Sequence, residues 1–200
     1  MPDFNVVADV STTLFTLLNS ALTTVGAQAQ ISDLQGTIQT NPARVTLFLF
    51  EVVEDPSAKN RNKVRVPAPL PPPPPPTNAI FRKKPPMALL LRYMLTPWSG
   101  DPATDHKMLG KVMQTLYDGA ILSGTQLQGN SLAGTDQALK ITLSPLTLEE
   151  RAQVWYAIEK PYRLSVTYEV RVVNLDAITV ETIVPVRQRS TRYLGPEAAQ

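Results

Sequence analysis

Eleven of the chain's 19 prolines fall between Glu54 and Pro86, among them the run PAPLPPPPPP at 67–76. Proline has no N–H to give a sheet ladder, and its ring breaks a helix interior, so no regular element can run through this stretch. The ordered parts must therefore lie before and after it. The ten residues are expected to stay extended as polyproline II, reaching about 30 Å at roughly 3.1 Å each. We read 54–86 as a proline-rich insertion in a connecting loop, solvated and acting as a spacer. The functional alternative is a cytosolic adaptor that recruits a partner through the proline run. Between 55 and 86 the chain also carries Lys59, Arg61, Lys63, Arg65, Arg82, Lys83 and Lys84 against Asp55 alone. No aromatic interleaves with the cations at 59–65, so they offer no stacking platform, and nucleic-acid binding is not expected.

Periodicity assigns the flanking segments. Val6, Val10, Leu14, Leu17, Leu18 and Ala21 recur at three- and four-residue steps, which predicts a helix from about Asp3 to Thr24, ended by Gly26. RVTLFLFEVV at 44–53 is apolar on both alternations, as in a strand covered on both faces, and MALLLRYMLTP at 87–97 reads as a second strand. Met108, Leu109, Val112, Met113, Leu116 and Tyr117 fall on one side of a helix ending at Gly119. Residues 120–135 are rich in glycine and small polar residues and read as a long loop. ALKITL at 138–143 alternates as a third strand. Thr147 and Glu150 form a capping box ahead of a short helix that Pro161 cannot extend.

YRLSVTYEVRVV at 162–173 is the clearest strand. Tyr162, Leu164, Val166, Tyr168, Val170 and Val172 alternate with Arg163, Ser165, Thr167, Glu169 and Arg171, which predicts one buried and one wet face. Residues 178–186 suggest another strand, which Pro185 confines to an edge. The expected fold class is α+β: a mixed or mostly antiparallel sheet with helices packed on it. We expect a single domain over 1–176 carrying the insertion, followed by an edge strand and tail over 177–200.

The chain has no cysteine and one histidine, which excludes disulfides, thiolate catalysis and Cys- or His-rich metal sites. No run approaches about 18 unbroken apolar residues, and the amino terminus has no basic n-region, so a soluble cytosolic protein is expected. The net charge of +2 supplies no field that would gather polyanions. One segment invites a catalytic reading. TPWSGDPATDH at 96–106 holds Ser99, Asp101, Asp105 and His106, the parts of a hydrolase triad. A triad needs groups converging from separate segments beside oxyanion donors. Asp101-Pro102 also reads as a helix N-cap with proline at the first helical position, and that reading is preferred. Phosphate-loop, nucleophile-elbow and zinc-protease motifs are missing, and nothing calls for a cofactor.

Several phrases in order, VTLFLFEV, PPMALLLRYMLTPWSGD, DHKMLGKVMQTLYDGAILSG, SLAGTDQALKITL, PLTLEERAQVWYAI and PYRLSVTYEVRVV, resemble the cap or tail-terminator proteins of phage-tail-like contractile injection systems. The resemblance spans about residues 5–175. It implies a structural assembly protein and not an enzyme: a six-membered ring that closes the inner tube, meets the last sheath layer and fixes particle length. Such a protein assembles in the cytoplasm as part of the particle. On that reading, contacts with neighbouring chains are expected on the polar alternation Arg163, Glu169 and Arg171, on the loop around Trp98 and Asp101, and on the tail residues Arg187, Arg189, Arg192 and Tyr193. Packing at a strand end is the alternative for Trp98.

Overall fold

A computed structural model describes residues 3–58, 62–67 and 80–183. The proline run beyond Pro67, the cations Lys59 and Arg61, and the tail residues Arg187, Arg189, Arg192 and Tyr193 lie outside the described residues. In chain order the elements are α1 (Val6–Thr23), β1 (Ala27–Ile31), β2 (Ala43–Glu54), β3 (Val64–Val66), β4 (Ile80–Lys83) and β5 (Met87–Trp98). They continue with α2 (Pro102–Asp118), β6 (Ile121–Ser123), β7 (Ala138–Leu143), α3 (Leu148–Ala157), β8 (Val166–Leu175) and β9 (Val180–Ile183). The α+β expectation holds. The contacts separate two units, residues 1–60 with 86–176 and residues 61–85 with 177–200.

The larger unit is built on a six-stranded sheet in the order β1-β2-β5-β8-β7-β6. β1 runs parallel to β2, and the other neighbours are antiparallel, so the sheet is mixed. Its first face carries one continuous core. Val6, Val10, Leu14, Leu18 and Leu22 of α1, and Met108, Val112 and Leu116 of α2, pack on Val45 and Leu47 of β2, Leu91, Tyr93 and Leu95 of β5, and Tyr168 and Val170 of β8. By length and mean hydropathy alone α1 would suit a bilayer. Its apolar stripe is instead spent on the sheet, and its Ser11, Thr12, Thr13 and Thr16 hydroxyls donate to carbonyls four residues back. Gly26 takes a φ of 73°, the left-handed region open to glycine, and turns the chain from α1 into β1.

β1 and β6 were not anticipated. AQAQI and ILS are too short for periodicity to declare them, and they exist because β2 and β7 offer ladders. At the free edge of β1 the Ala29 N–H donates to Asn19 Oδ1 of α1 at 3.0 Å. The second face carries a smaller core of Leu34, Met94, Trp98 and Trp155, with Ile38, Phe48, Phe50, Val154 and Ile158 around it. Two expectations need correction. Tyr162 and Leu164 are about half exposed because pairing of the last long strand begins only at Val166. Thr167 and Glu169, expected on a wet face, are buried because β8 is a central strand between β5 and β7, with polar partners over that face.

The smaller unit is a three-stranded antiparallel sheet, β3-β4-β9. Part of the segment read as loop therefore forms strands, and β9 takes the edge position expected for it. Lys63 reaches Glu181 across this unit at 2.6 Å and holds that carboxyl below the usual range.

Candidate assembly surfaces

The loop after β5 is organised around Asp105. Its Oδ1 accepts the Ser99 N–H at 3.0 Å and the Ser99 hydroxyl at 2.7 Å, while its Oδ2 accepts Arg163 at 3.2 Å. The same guanidinium lies 4.3 Å over the Trp98 ring, a cation–π contact. Trp98 donates its indole N–H to Thr46 Oγ1 at 3.0 Å and sits 6.4 Å from Trp155. Asp101 is the N-cap of α2. It accepts the Thr104 hydroxyl at 2.7 Å and the Thr104 N–H at 2.9 Å, which hold its carboxyl below the usual range. His106 is exposed and takes no part in these bonds. The Ser99 hydroxyl thus points to a carboxylate already paired with arginine, and the Ser99/Asp101/His106 triad is not assembled. What the segment does is hand a strand over to a helix.

A charge ladder crosses the second face. Arg92, at the middle of β5, bonds Glu51 of β2 at 2.6 Å and Glu169 of β8 at 3.0 Å. Arg171 bonds the other oxygen of Glu169 at 2.9 Å, and Ser144 donates to Glu169 at 3.0 Å. Burial alone would raise the Glu169 carboxyl, but the bonds from Arg171, Ser144 and Arg92 outweigh it and leave the group below its usual range. Desolvation likewise opposes the Arg92 charge, and Glu51 and Glu169 together reverse that. On the first face, burial pushes the Tyr93 phenol up to about 12, against the opposing pull of its 2.9 Å bond with Ser11.

An apolar groove of about 660 Å³ opens beside the carboxyl-terminal half of α2, lined by Met113, Leu116, Tyr117, Ile141, Leu143 and Tyr168 among others. Met113 and Tyr117 were expected in the core. Tyr117 is 84% exposed, and the buried stripe of α2 is Met108, Leu109, Val112 and Leu116. α3 shows the same division. Trp155 faces in with Val154 and Ile158, while Leu148, Ala152 and Tyr156 face solvent. Among the described residues no cluster of His, Asp and Glu is placed to hold a metal.

Of the residues expected at interfaces, Glu169 and Arg171 meet in the ladder, and Arg163 lies apart from them on Asp105 and Trp98. Trp98 is packed within the second core, and Asp101 is exposed as a cap. Sequence reasoning missed Glu51 and Arg92. Their signal was there: a charge inside FLFEVV or LLLRYML must find a partner once its neighbours are buried.

A family model described as the Pvc16 N-terminal domain matches residues 9–189. The chain belongs to this family. Among solved structures, the sheath/tube terminator of the PVC extracellular contractile injection system, in its extended state, is 17% identical, with a TM-score of 0.58 over 97% of this chain and 65% of that one. The anti-feeding prophage tube-terminating cap is 18% identical, with a TM-score of 0.59 over 96% of this chain and 62% of that one. The chain therefore spans a little under two thirds of these similar chains, and the likeness is one of fold. A comparison with curated proteins gives no match.

Proposed function

We propose that this chain is a structural terminator of a contractile injection particle. It assembles as a ring of six copies that closes the inner tube, touches the last sheath layer and sets the particle's length. The carrying observation is the family match over 9–189, joined by a fold shared across nearly the whole chain with two tube-terminating proteins. The local chemistry agrees. Glu51, Arg92, Glu169 and Arg171 bond one another across strands, and Ser99 is tied to an ion-paired carboxylate, a use of polar residues that suits an architectural role. The adaptor reading is not favoured, because the resemblance in fold runs through the sheet and its helices and does not depend on the proline run. Assembly takes place in the producing cell's cytoplasm, and the protein leaves or stays with its particle.

The test is deletion of the gene in the producing strain, followed by electron microscopy of isolated particles. Tubes of uncontrolled length, or sheaths that fall away from one end, are expected, with restoration by the full chain. Particles of normal length and intact sheath in the deletion strain overturn the proposal.

A further inference from the structure

Between β6 and β7, residues 124–135 leave the sheet and lie against α1. Three backbone bonds fold the segment into turns: the Leu127 N–H donates to Gly124 O at 3.2 Å, the Ala133 N–H to Gly129 O at 3.0 Å and the Thr135 N–H to Leu132 O at 3.2 Å. None of these reaches another element. Two apolar side chains, Leu127 and Leu132, are buried in the core that α1 and α2 share. Among the described residues, every hydrogen bond that the segment makes beyond its sequence neighbours goes to a side chain in, or just before, the amino-terminal half of α1. Thr13 Oγ1 accepts the Gln128 N–H at 3.0 Å, Asp9 Oδ2 accepts the Ser131 N–H at 2.7 Å, and Asp3 Oδ1 accepts the Ser131 hydroxyl.

Gly129 is what lets the segment come so close. Its φ of 88° lies in the left-handed region, and a Cβ there would fall 2.1 Å from Asp9 Cγ and Oδ1 and 2.6 Å from Oδ2. The Asp9 carboxylate thus fills the space that a side chain at 129 would take. It also does that side chain's work. The turn 129–133 begins at Gly129, and a capping side chain at its start would accept the N–H two residues on, which is that of Ser131. Glycine has no acceptor to offer, so Asp9 supplies it from another element. Asp9 is itself buried, and its backbone carbonyl accepts the Thr13 hydroxyl at 2.8 Å. The two main acceptors therefore sit on successive turns of one helix face, fixed relative to each other.

We propose that residues 124–135 are a strap latched shut by α1, with Asp9 as a cap supplied in trans, and that the strap opens as one piece while the six-stranded sheet stays folded. The division of bonds is the reason. The β6–β7 ladder pairs Ile121–Ser123 with Ala138–Lys140 and does not run through the strap. Opening breaks three bonds to α1-side acceptors and lifts two leucines, whereas opening the sheet breaks ladders and the whole first core. Release bares Leu127, Leu132 and the part of the core they cover, so the strap decides whether that apolar patch is hidden or presented. It needs no partner chain, and the inference stands apart from the terminator reading.

The chain has no native cysteine, so Leu132→Cys reports opening of the strap through one buried thiol, and Leu95→Cys in β5 reports opening of the sheet. Both full-length variants are treated with Ellman's reagent, and each labelling rate is set against that variant's own global unfolding from denaturant titration. Leu132→Cys is expected to react about ten-fold or more faster than its global unfolding permits, and Leu95→Cys no faster than its own. Asp9→Ala added to Leu132→Cys should raise the rate by about ten-fold, the effect of losing one bond to a carboxylate. Thr13→Val, close in shape to threonine, removes the acceptor for Gln128 and should raise the rate too, which keeps the test decisive where Asp9→Ala does not fold. Gly129→Ala should speed labelling strongly with Asp9 in place and by a smaller factor beside Asp9→Ala, because the atoms that its Cβ strikes are then gone. Equal protection of Leu132→Cys and Leu95→Cys, each relative to its global unfolding, overturns the strap, as do unchanged rates on removal of the α1 acceptors. Effects of Gly129→Ala and Asp9→Ala that simply multiply overturn the cap in trans.

Discussion

On one face of the six-stranded sheet, α1 and α2 lay down eight buried apolar side chains that join those of β2, β5 and β8 in one core. On the other, α3 buries Trp155 alone, and the middle of the face is crossed by Glu51, Arg92, Glu169 and Arg171. The first face is held by a non-directional force proportional to area, and it tolerates small shifts. The second is held by directional bonds in which each partner needs the others. The buried Trp155 Nε1, Thr96 Oγ1 and Ser165 Oγ on that side find no hydrogen-bond partner among the described residues. The two faces should therefore fail differently: the first globally, the second locally.

The largest effect is expected for Trp155→Ala, about 3–5 kcal/mol from the lost aromatic burial and the cavity left behind. Hydrogen exchange should show protection lost first in α3 and around Leu34, with the α1/α2 core still protected. Global loss in step would mean that the two faces unfold as one unit. Leu18→Ala, in the middle of α1, should cost about 2–5 kcal/mol and lower protection across the whole sheet, read by denaturant titration with exchange.

Glu169→Gln should come next, at about 1–2 kcal/mol for bonds to charged donors that become bonds to an amide. Its signature is the pH profile. The native carboxyl lies below its unfolded value, so between the two values the unfolded chain binds more protons and stability rises with pH. That contribution is present above the unfolded value and is lost as pH falls through the folded one. Thermal melts over the acid range should show a shallower slope for Glu169→Gln than for the natural chain. The smallest change is Thr147→Ala, which removes one half of a capping box whose Thr147 hydroxyl and Glu150 carboxylate serve each other's backbone N–H. About 0.5–2 kcal/mol is expected. Exchange should locate it in the first turn of α3, leaving α1 untouched.

Legibility in the sequence follows the same divide. α1 could be read because a stripe repeating every three to four residues has no other economical use, and the capping box of α3 because its two partners sit three residues apart. β1 could not be read, since Ala27 and Ala29 earn their burial only from α1 above and β2 beside them. The long strand ending in β8 was read with Tyr168 and Val170 rightly on one face, but its start came four residues early and its strict alternation missed the register shift that puts Val173 beside Val170 in the core, because pairing, which begins at Val166, is a property of β5 and β7 and not of the strand itself. The candidate surfaces were least legible. Glu169 and Arg171 were visible as polar positions, but Arg92, which bonds Glu169, lies 77 residues from it, and Glu51, which bonds Arg92, lies 41 residues from that arginine, separations no local pattern spans. Tyr117 resembles a buried helical position by its apolar neighbours, but it lies off the side of α2 that carries Met108, Val112 and Leu116 and is exposed.

The Asn19 carboxamide that receives the Ala29 amide has a consequence beyond the folded chain. A bare strand border invites an extended segment from any neighbour to dock and zip, and crowded copies raise that hazard. By occupying the donor at the midpoint of this border, one side chain removes a foothold that edge-to-edge stacking along that margin would use.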